Sequence, residues 1–221
     1  MSTPVWEAKS KETLRAFLKP NLKSLKALAE RDVVEADTRT FVTDLLVEGL
    51  GYDKYEELTA EYLVKGEFAD IGIKVDKKLL AFVEIKRVGI DLKDTHLRQV
   101  KNYAANEGVE WVILTNGRNW QVYHISNTTP IEHELLFQVD LLSEGTPAEK
   151  VSQLWQLSKA AMTKGVITET WQSAAAVNNS SIRSALLSES VLIAVRKEIR
   201  ARTKQLVDVK KLKEVINSEL K

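Results

Sequence analysis

Cysteine is absent from the 221 residues, and histidine occurs only three times, as His96, His124 and His133. The lack of cysteine excludes disulfide bonds and zinc sites built on cysteine. Three scattered histidines argue against a histidine metal site. A chain without cysteine fits a reducing cytoplasm, which is the location we expect.

Long apolar runs are also missing, so the sequence predicts neither a membrane span nor a membrane partner. The first residues lack a basic start followed by an apolar stretch, and we therefore expect no signal peptide. Internal repeats and low-complexity segments are absent as well. The composition is that of an ordinary soluble globular protein, long enough for one good core and a smaller appendage.

Neither sign of charge dominates, because the formal net charge is +1, but the charges are unevenly distributed. Residues 1–149 hold 19 basic and 25 acidic side chains, a net charge of −6, whereas residues 150–221 hold 13 and 6, a net charge of +7. The basic tail could attract phosphate, or it could be the solvated surface of a helical region. Both interpretations stay open at this point.

The pattern of apolar residues predicts helices at the start of the chain. Residues 7–30 carry leucine and phenylalanine at steps of three and four, which indicates a helix, and Pro20 predicts a kink or a division into two helices. Asp37 or Thr38 is expected to cap a second helix that closes at Gly51.

Strands are predicted in the middle of the chain. Residues 60–86 indicate a pair of strands joined by a polar turn, and a helix ending at Gly108 follows them. Two further strands flank the tight turn Asn116-Gly117. Residues 135–141 fit an edge strand or a short helix, and residues beyond 143 follow a helical pattern.

Three charged residues in this strand region are the most informative part of the sequence. Asp70 lies in the apolar stretch 67–73, and Glu84 and Lys86 lie on one face of the stretch 79–86. If Asp70 lies across from Glu84, the three charged groups meet. Two carboxylates and a main-chain oxygen can hold Mg²⁺, and a neighbouring lysine can orient or deprotonate water and neutralise phosphate. The set predicts metal-dependent phosphodiester hydrolysis.

The alternative for these residues is a surface ion pair, formed by Glu84 with Lys86 or with Lys74. Strand geometry alone permits both.

The order of these features resembles the PD-(D/E)xK nuclease superfamily, and more closely the N-terminal nuclease domain of type I restriction enzyme restriction subunits and their stand-alone relatives. The matching motifs are Asp70, the Glu84-Ile85-Lys86 element, the Gln99-x-x-x-Tyr103 element and the strand and turn that end at Gly117. The family's proline before the aspartate is replaced here by Ala69. The resemblance covers residues 30–125.

The resemblance implies a role for each matching residue. Asp70, Glu84 and the Ile85 carbonyl would bind Mg²⁺, with Mn²⁺ as a substitute, and Lys86 would hold the attacking water. Gln99 would complete the catalytic set by bonding a metal-bound water or a phosphate.

Further residues would support this set. Tyr103 would brace Gln99 or touch DNA, unless it is simply a half-buried helix residue. The family often adds an acidic residue from the first helix, for which Glu35, Asp37 and Glu48 are candidates.

The expected fold is therefore α/β, a restriction-endonuclease-like core with a mixed central sheet flanked by helices. We predict a nuclease domain over residues 1–142, including the helical segment 7–30, and a helical C-terminal region over residues 143–221. The expected activity is that of a Mg²⁺-dependent endonuclease acting on DNA in restriction-modification. The rivals are a non-catalytic subunit on the same fold that binds DNA or a partner, and a nuclease for RNA or branched DNA.

The expected partners follow from the same resemblance. No phosphate loop of the type Gly-x-x-x-x-Gly-Lys occurs, so a motor or specificity subunit would be a separate chain. The helical tail is a candidate for forming a homodimer.

Overall fold

A six-stranded sheet forms the centre of the first compact unit, which extends to Ile167. The computed structural model describes residues 3–31, 33–64, 67–126 and 128–219, without the side chains of Glu67 and Gln99. The strands follow one another across the sheet in chain order. They are β1 (Leu58–Val64), β2 (Glu67–Val75), β3 (Lys78–Ile85), β4 (Trp111–Thr115), β5 (Asn119–Ile125) and β6 (His133–Asp140).

The sheet is mixed, with β3 and β4 as its single parallel pair among the described strands. Parallel neighbours need a crossover connection, and the helix α3 (Asp94–Glu107) supplies it. Gly108, in the left-handed conformation at φ +67°, ends this helix and turns the chain into β4.

Helices α1 and α2 precede the sheet, and short helices follow it within the first unit. Their bounds are α1 (Val5–Glu30), α2 (Glu35–Asp44), α4 (Pro147–Leu154) and α5 (Lys159–Thr163), with a π-helical turn at Leu45–Gly49 and a 3₁₀ turn at Trp155–Leu157. Thr146 and Glu149 form a capping box at the start of α4.

The second unit, Thr168–Lys221, is helical. It contains most of α6 (Val166–Ala176), followed by α7 (Asn179–Leu186), α8 (Glu189–Thr203) and α9 (Val209–Glu219). Within it, the guanidinium of Arg183 donates to Asn217 Oδ1 over 2.7 and 3.0 Å.

A buried apolar layer lies between the sheet and α3. Leu97, Val100 and Ala104 of the helix are fully buried there and pack with Phe82 of β3 and strand residues that include Val112 and Leu114. This layer fixes the position of α3 against β3, and so determines which helix residues approach the end of that strand.

The α/β class, the mixed sheet flanked by helices and the helical C-terminal region are confirmed. The predicted domain boundary at residue 142 stays a prediction, while the first compact unit continues through α4 and α5. Among the residues that the structure describes, no helix combines the length and apolarity needed to cross a membrane.

Several local predictions were wrong. One helix runs through Pro20, so the expected division into two helices is not observed. Helix α2 begins at Glu35 after Val34, and neither Asp37 nor Thr38 caps it. Three strands, β1 to β3, form where two were predicted.

The edge strand, one of the two alternatives predicted for residues 135–141, is confirmed by β6 at the edge of the sheet.

Candidate active site

Asp70 and Glu84 meet where β2 and β3 end their antiparallel pairing. Ile71 is paired with Val83, which places Asp70 and Glu84 at the next position along the two strands. The main-chain N–H of Ile85 donates to Asp70 Oδ2 at 2.7 Å. This bond turns the Asp70 carboxylate across to β3, so the two predicted carboxylates lie together as the sequence suggested.

Lys86 completes the predicted group of three. Its Nζ donates to Glu84 Oε1 at 2.6 Å, and the two side chains are 24 % and 10 % exposed. The ion pair that formed the alternative interpretation is therefore present, but it lies mostly out of solvent beside Asp70 and is not a surface pair. Lys74 lies elsewhere, 4.7 Å from the centre of the Tyr62 ring.

The electrostatics of this group show crowded negative charge. Burial, together with the neighbouring Asp70 and Glu35, raises the pKa of Glu84 against the opposing hydrogen bond from Lys86. Burial works to lower the pKa of Lys86, but the Glu84 hydrogen bond and the nearby carboxylates outweigh it, so the pKa of Lys86 is raised. Lys86 is thus held as an ammonium ion among acidic groups.

Helix α2 brings one of the three candidate acidic residues near the group of three. Glu35 is half-buried in the first turn of α2 and is close enough to raise the pKa values of Glu84 and Lys86. Asp37 and Glu48 are exposed. Of the three candidates, Glu35 is the one whose charge acts on the group of three.

Arg39 is a member of the site that sequence reasoning missed. Its Nη2 donates to Asp70 Oδ1, and its Nη1 lies 3.8 Å from Glu61. Its buried Nε has no hydrogen-bond partner among the described residues. Arg39 follows Glu35 by four residues, so both project from one face of α2. The four-residue spacing could have indicated that Arg39 accompanies Glu35. The sequence could not show that this face of α2 meets β2.

Helix α3 approaches the same place with its N-terminal turn. Burial and the charges of Lys86 and Lys93 lower the pKa of His96, which therefore stands near the site as a neutral imidazole at neutral pH. Gln99 belongs to α3, but its side chain lies outside the described residues. Tyr103 is only 3 % exposed within the apolar layer, a position that argues against contact with DNA and fits a packing role in α3. The bracing of Gln99 by Tyr103 stays a prediction.

Asn116 fixes the segment that follows Lys86. Its side-chain amide, 2 % exposed, donates to the carbonyls of Val88 and Ile90 at 3.3 and 2.8 Å. Lys86 is itself held to β4, because its main-chain N–H donates to the Thr115 carbonyl at 2.8 Å. The tight turn at Asn116 thus anchors the chain that follows Lys86.

The donor set can be tested for its fit to Mg²⁺. Among the described residues, no three or more histidine, aspartate or glutamate side chains are grouped closely enough to hold a metal ion. Asp70 and Glu84 provide two carboxylates, and each carboxylate oxygen can accept a hydrogen bond and keep a lone pair for a cation. Mg²⁺ commonly takes one or two carboxylates and keeps several waters, so the pair fits this ion.

One protein family matches the part of the chain that contains the candidate site. Residues 34–136 match the family model described as the type I restriction enzyme R protein N terminus, a range that contains α2, β2, β3 and α3. Comparisons with curated proteins and with solved structures give no match. The predicted resemblance to the N-terminal domain of type I restriction subunits is therefore confirmed over residues 34–136, and it supports a restriction-enzyme-related role for this chain.

Proposed function

We propose that the chain is a Mg²⁺-dependent deoxyribonuclease that cleaves DNA internally. The observation that carries this proposal is the meeting of Asp70 and Glu84 beside the last pair of β2 with β3, Ile71 with Val83, with the Lys86 ammonium against Glu84. The family match supports it, because the matched family belongs to restriction enzymes.

Asp70, Glu84 and the main-chain carbonyl of Ile85 would hold the ion. Bound there, Mg²⁺ would activate water and neutralise charge on the phosphate. Burial is the main cause of the raised pKa of Glu84, and the charges of Asp70 and Glu35 add to it. A divalent ion bound here would relieve that repulsion, which supports a cation site.

Lys86 holds and orients the attacking water in this proposal. Its raised pKa keeps the side chain protonated, so it donates hydrogen bonds and does not act as the general base. The same ammonium charge stabilises negative charge on the phosphate as the transition state forms. His96, whose pKa is lowered by burial and by the charges of Lys86 and Lys93, would donate a hydrogen bond to a phosphate oxygen in this proposal.

The experiment is cleavage of plasmid DNA with Mg²⁺ by the full chain and by Asp70→Asn, Glu84→Gln and Lys86→Ala. We expect each variant to lose about 100-fold or more of the activity. The matched control is Asp76→Asn, which makes the same chemical change in the exposed β2–β3 turn. Wild-type activity in Glu84→Gln or Lys86→Ala would refute the assignment.

A second candidate is a non-catalytic subunit that binds DNA or a partner. It is favoured by the charge pairing, since Arg39 already neutralises Asp70 and Lys86 already neutralises Glu84. Calorimetric titration with Mg²⁺ and Mn²⁺ separates the candidates. Binding that Asp70→Asn abolishes supports the nuclease, whereas a chain that binds DNA but neither ion supports the subunit.

The partners proposed are DNA, a separate motor or specificity subunit, and a second copy of the chain. The first two come from the restriction enzymes of the matched family. Gel filtration with light scattering tests the homodimer.

A further inference from the structure

An open cavity of about 410 Å³ lies in the first unit, and it shares no residue with the candidate active site. One wall is the first half of α1, and the opposite wall is α5. The third side is the backbone from Gly49 to Gly51, where glycine leaves the cavity unobstructed: a Cβ added at Gly51 would meet nothing within 4 Å. The volume lies in the range of small-molecule sites.

The cavity has an aromatic wall with a cation beside it. Trp6 lines it, and the Lys164 ammonium lies 5.1 Å from the centre of the Trp6 ring. The Trp155 ring supports Trp6 from a centroid distance of 5.9 Å. A flat apolar group can stack on an indole held in this way.

The charge around the cavity has one sign. Lys9, Lys159 and Lys164 line it, and none of the described lining residues is acidic. Lys159 is paired with Glu57 at 2.7 Å, while Lys9 and Lys164 form no ion pair with any described residue. Lysine is thus the one charged residue type among the described lining residues, and the cavity offers positive charge to a ligand.

The hydroxyl groups of the lining are used within the protein. Ser10 donates to Ser158, and Thr13 and Thr163 donate to the carbonyl groups four residues before them. Their protons are therefore engaged, and the ammonium groups of Lys9 and Lys164 are the strongest polar features left for a ligand.

We propose that this cavity binds a small organic anion with a flat aromatic body. The ring would occupy the apolar cavity against Trp6, and the anionic group would lie at the rim near Lys9 and Lys164. The site is independent of the proposed nuclease chemistry, since it uses other residues and needs no metal.

The test is titration of the full chain with 8-anilinonaphthalene-1-sulfonate, an aromatic sulfonate whose fluorescence reports binding. We expect one saturable site, and at least about tenfold weaker binding in the double variant Lys9→Gln/Lys164→Gln, because each lost ammonium removes a charge-assisted contact. Ala160→Leu, which places a larger side chain in the cavity, should weaken binding similarly. The control is Lys77→Gln/Lys78→Gln, an identical charge change at the β2–β3 turn and the first residue of β3.

Competition identifies the natural class of ligand. Displacement by a nucleoside 5′-monophosphate indicates a nucleotide site, and displacement by benzoate alone indicates a site for aromatic acids. Absence of saturable binding, or equal affinity in the double variant and the wild type, would overturn the proposal.

Two measurements keep these outcomes interpretable. The thermal unfolding midpoint of each variant shows that it is folded. Plasmid cleavage should be unchanged in the double variant, so that failure of this proposal and failure of the nuclease proposal give different results.

Discussion

Replacing Arg39 with glutamine tests whether this arginine neutralises Asp70 in the absence of metal. The Arg39 and Asp70 side chains are 33 % and 14 % exposed, so the pair is neither a surface pair nor fully buried. Exposed pairs contribute about 0–1 kcal/mol, and breaking a buried pair costs about 3–5 kcal/mol. We therefore expect Arg39→Gln to lower the free energy of unfolding by about 2 kcal/mol. For a unit of this size, this loss lowers the thermal unfolding midpoint by about 4–8 °C.

The same substitution should strengthen metal binding although it weakens the fold. Arg39 and a divalent cation compete for the same carboxylate, so removing the guanidinium should tighten Mn²⁺ binding. Asp70 would keep its orientation, because the Ile85 N–H still holds Oδ2. We expect about a tenfold lower Kd, equivalent to about 1.4 kcal/mol.

Calorimetry with Mn²⁺ and thermal unfolding with and without the ion measure the two effects. Mn²⁺ should therefore raise the unfolding midpoint of Arg39→Gln by more than it raises that of the wild type. The matched control is Arg118→Gln, which breaks the partly exposed pair with Asp140 between β5 and β6 and should leave metal affinity unchanged. Weaker Mn²⁺ binding in Arg39→Gln would refute the competition and would show that Arg39 serves to orient Asp70.

Two further predictions concern stability. The folded-state pKa of Glu84 is raised, so the folded protein holds this proton more tightly than the unfolded chain, and stability is lost as pH rises from the ordinary value of 4.5 through the raised one. Glu84→Gln should remove that loss. In denaturant titrations from pH 4 to 7, the free energy of unfolding of the variant relative to that of the wild type should therefore increase with pH. A decrease with pH would contradict a raised pKa of Glu84. Asn116→Ala would leave the buried Val88 carbonyl and the Ile90 carbonyl without their amide donor, at a cost of about 2 kcal/mol or more, and should speed hydrogen exchange in residues 86–90. Unchanged exchange there would show that Asn116 acts only in its own turn.

The position of Asp70 opposite Glu84 was predictable because side chains alternate between the two faces of a strand and because a tight turn joins β2 to β3. Alternation put Glu84 and Lys86 on one face, and the polar turn at Asp76 and Lys77 set the register of β2 against β3. These are local properties, and sequence patterns record them well.

Arg39 and Thr38 show what sequence patterns do not record. Thr38 resembled a cap, but its hydroxyl accepts a hydrogen bond from the Val88 N–H at 3.0 Å, a contact made possible only when α2 packs beside β3. The contact of Arg39 with Asp70 depends on the same packing. Strand β1 was not separated from β2 because its residues are largely exposed and show no clear apolar alternation.

The parallel pairing of β3 with β4 has a consequence for when the site can form. The hydrogen bond from Lys86 to Thr115 and the two hydrogen bonds from Asn116 to Val88 and Ile90 join residues on either side of the α3 crossover, so they need the chain on both sides of that helix. Contacts between distant parts of a chain form late, because loop closure must be compensated first. A growing polypeptide thus carries its acidic pair on a local hairpin well before the surrounding framework can align it, and the proposed cutting ability would arise only once synthesis and folding have passed β4.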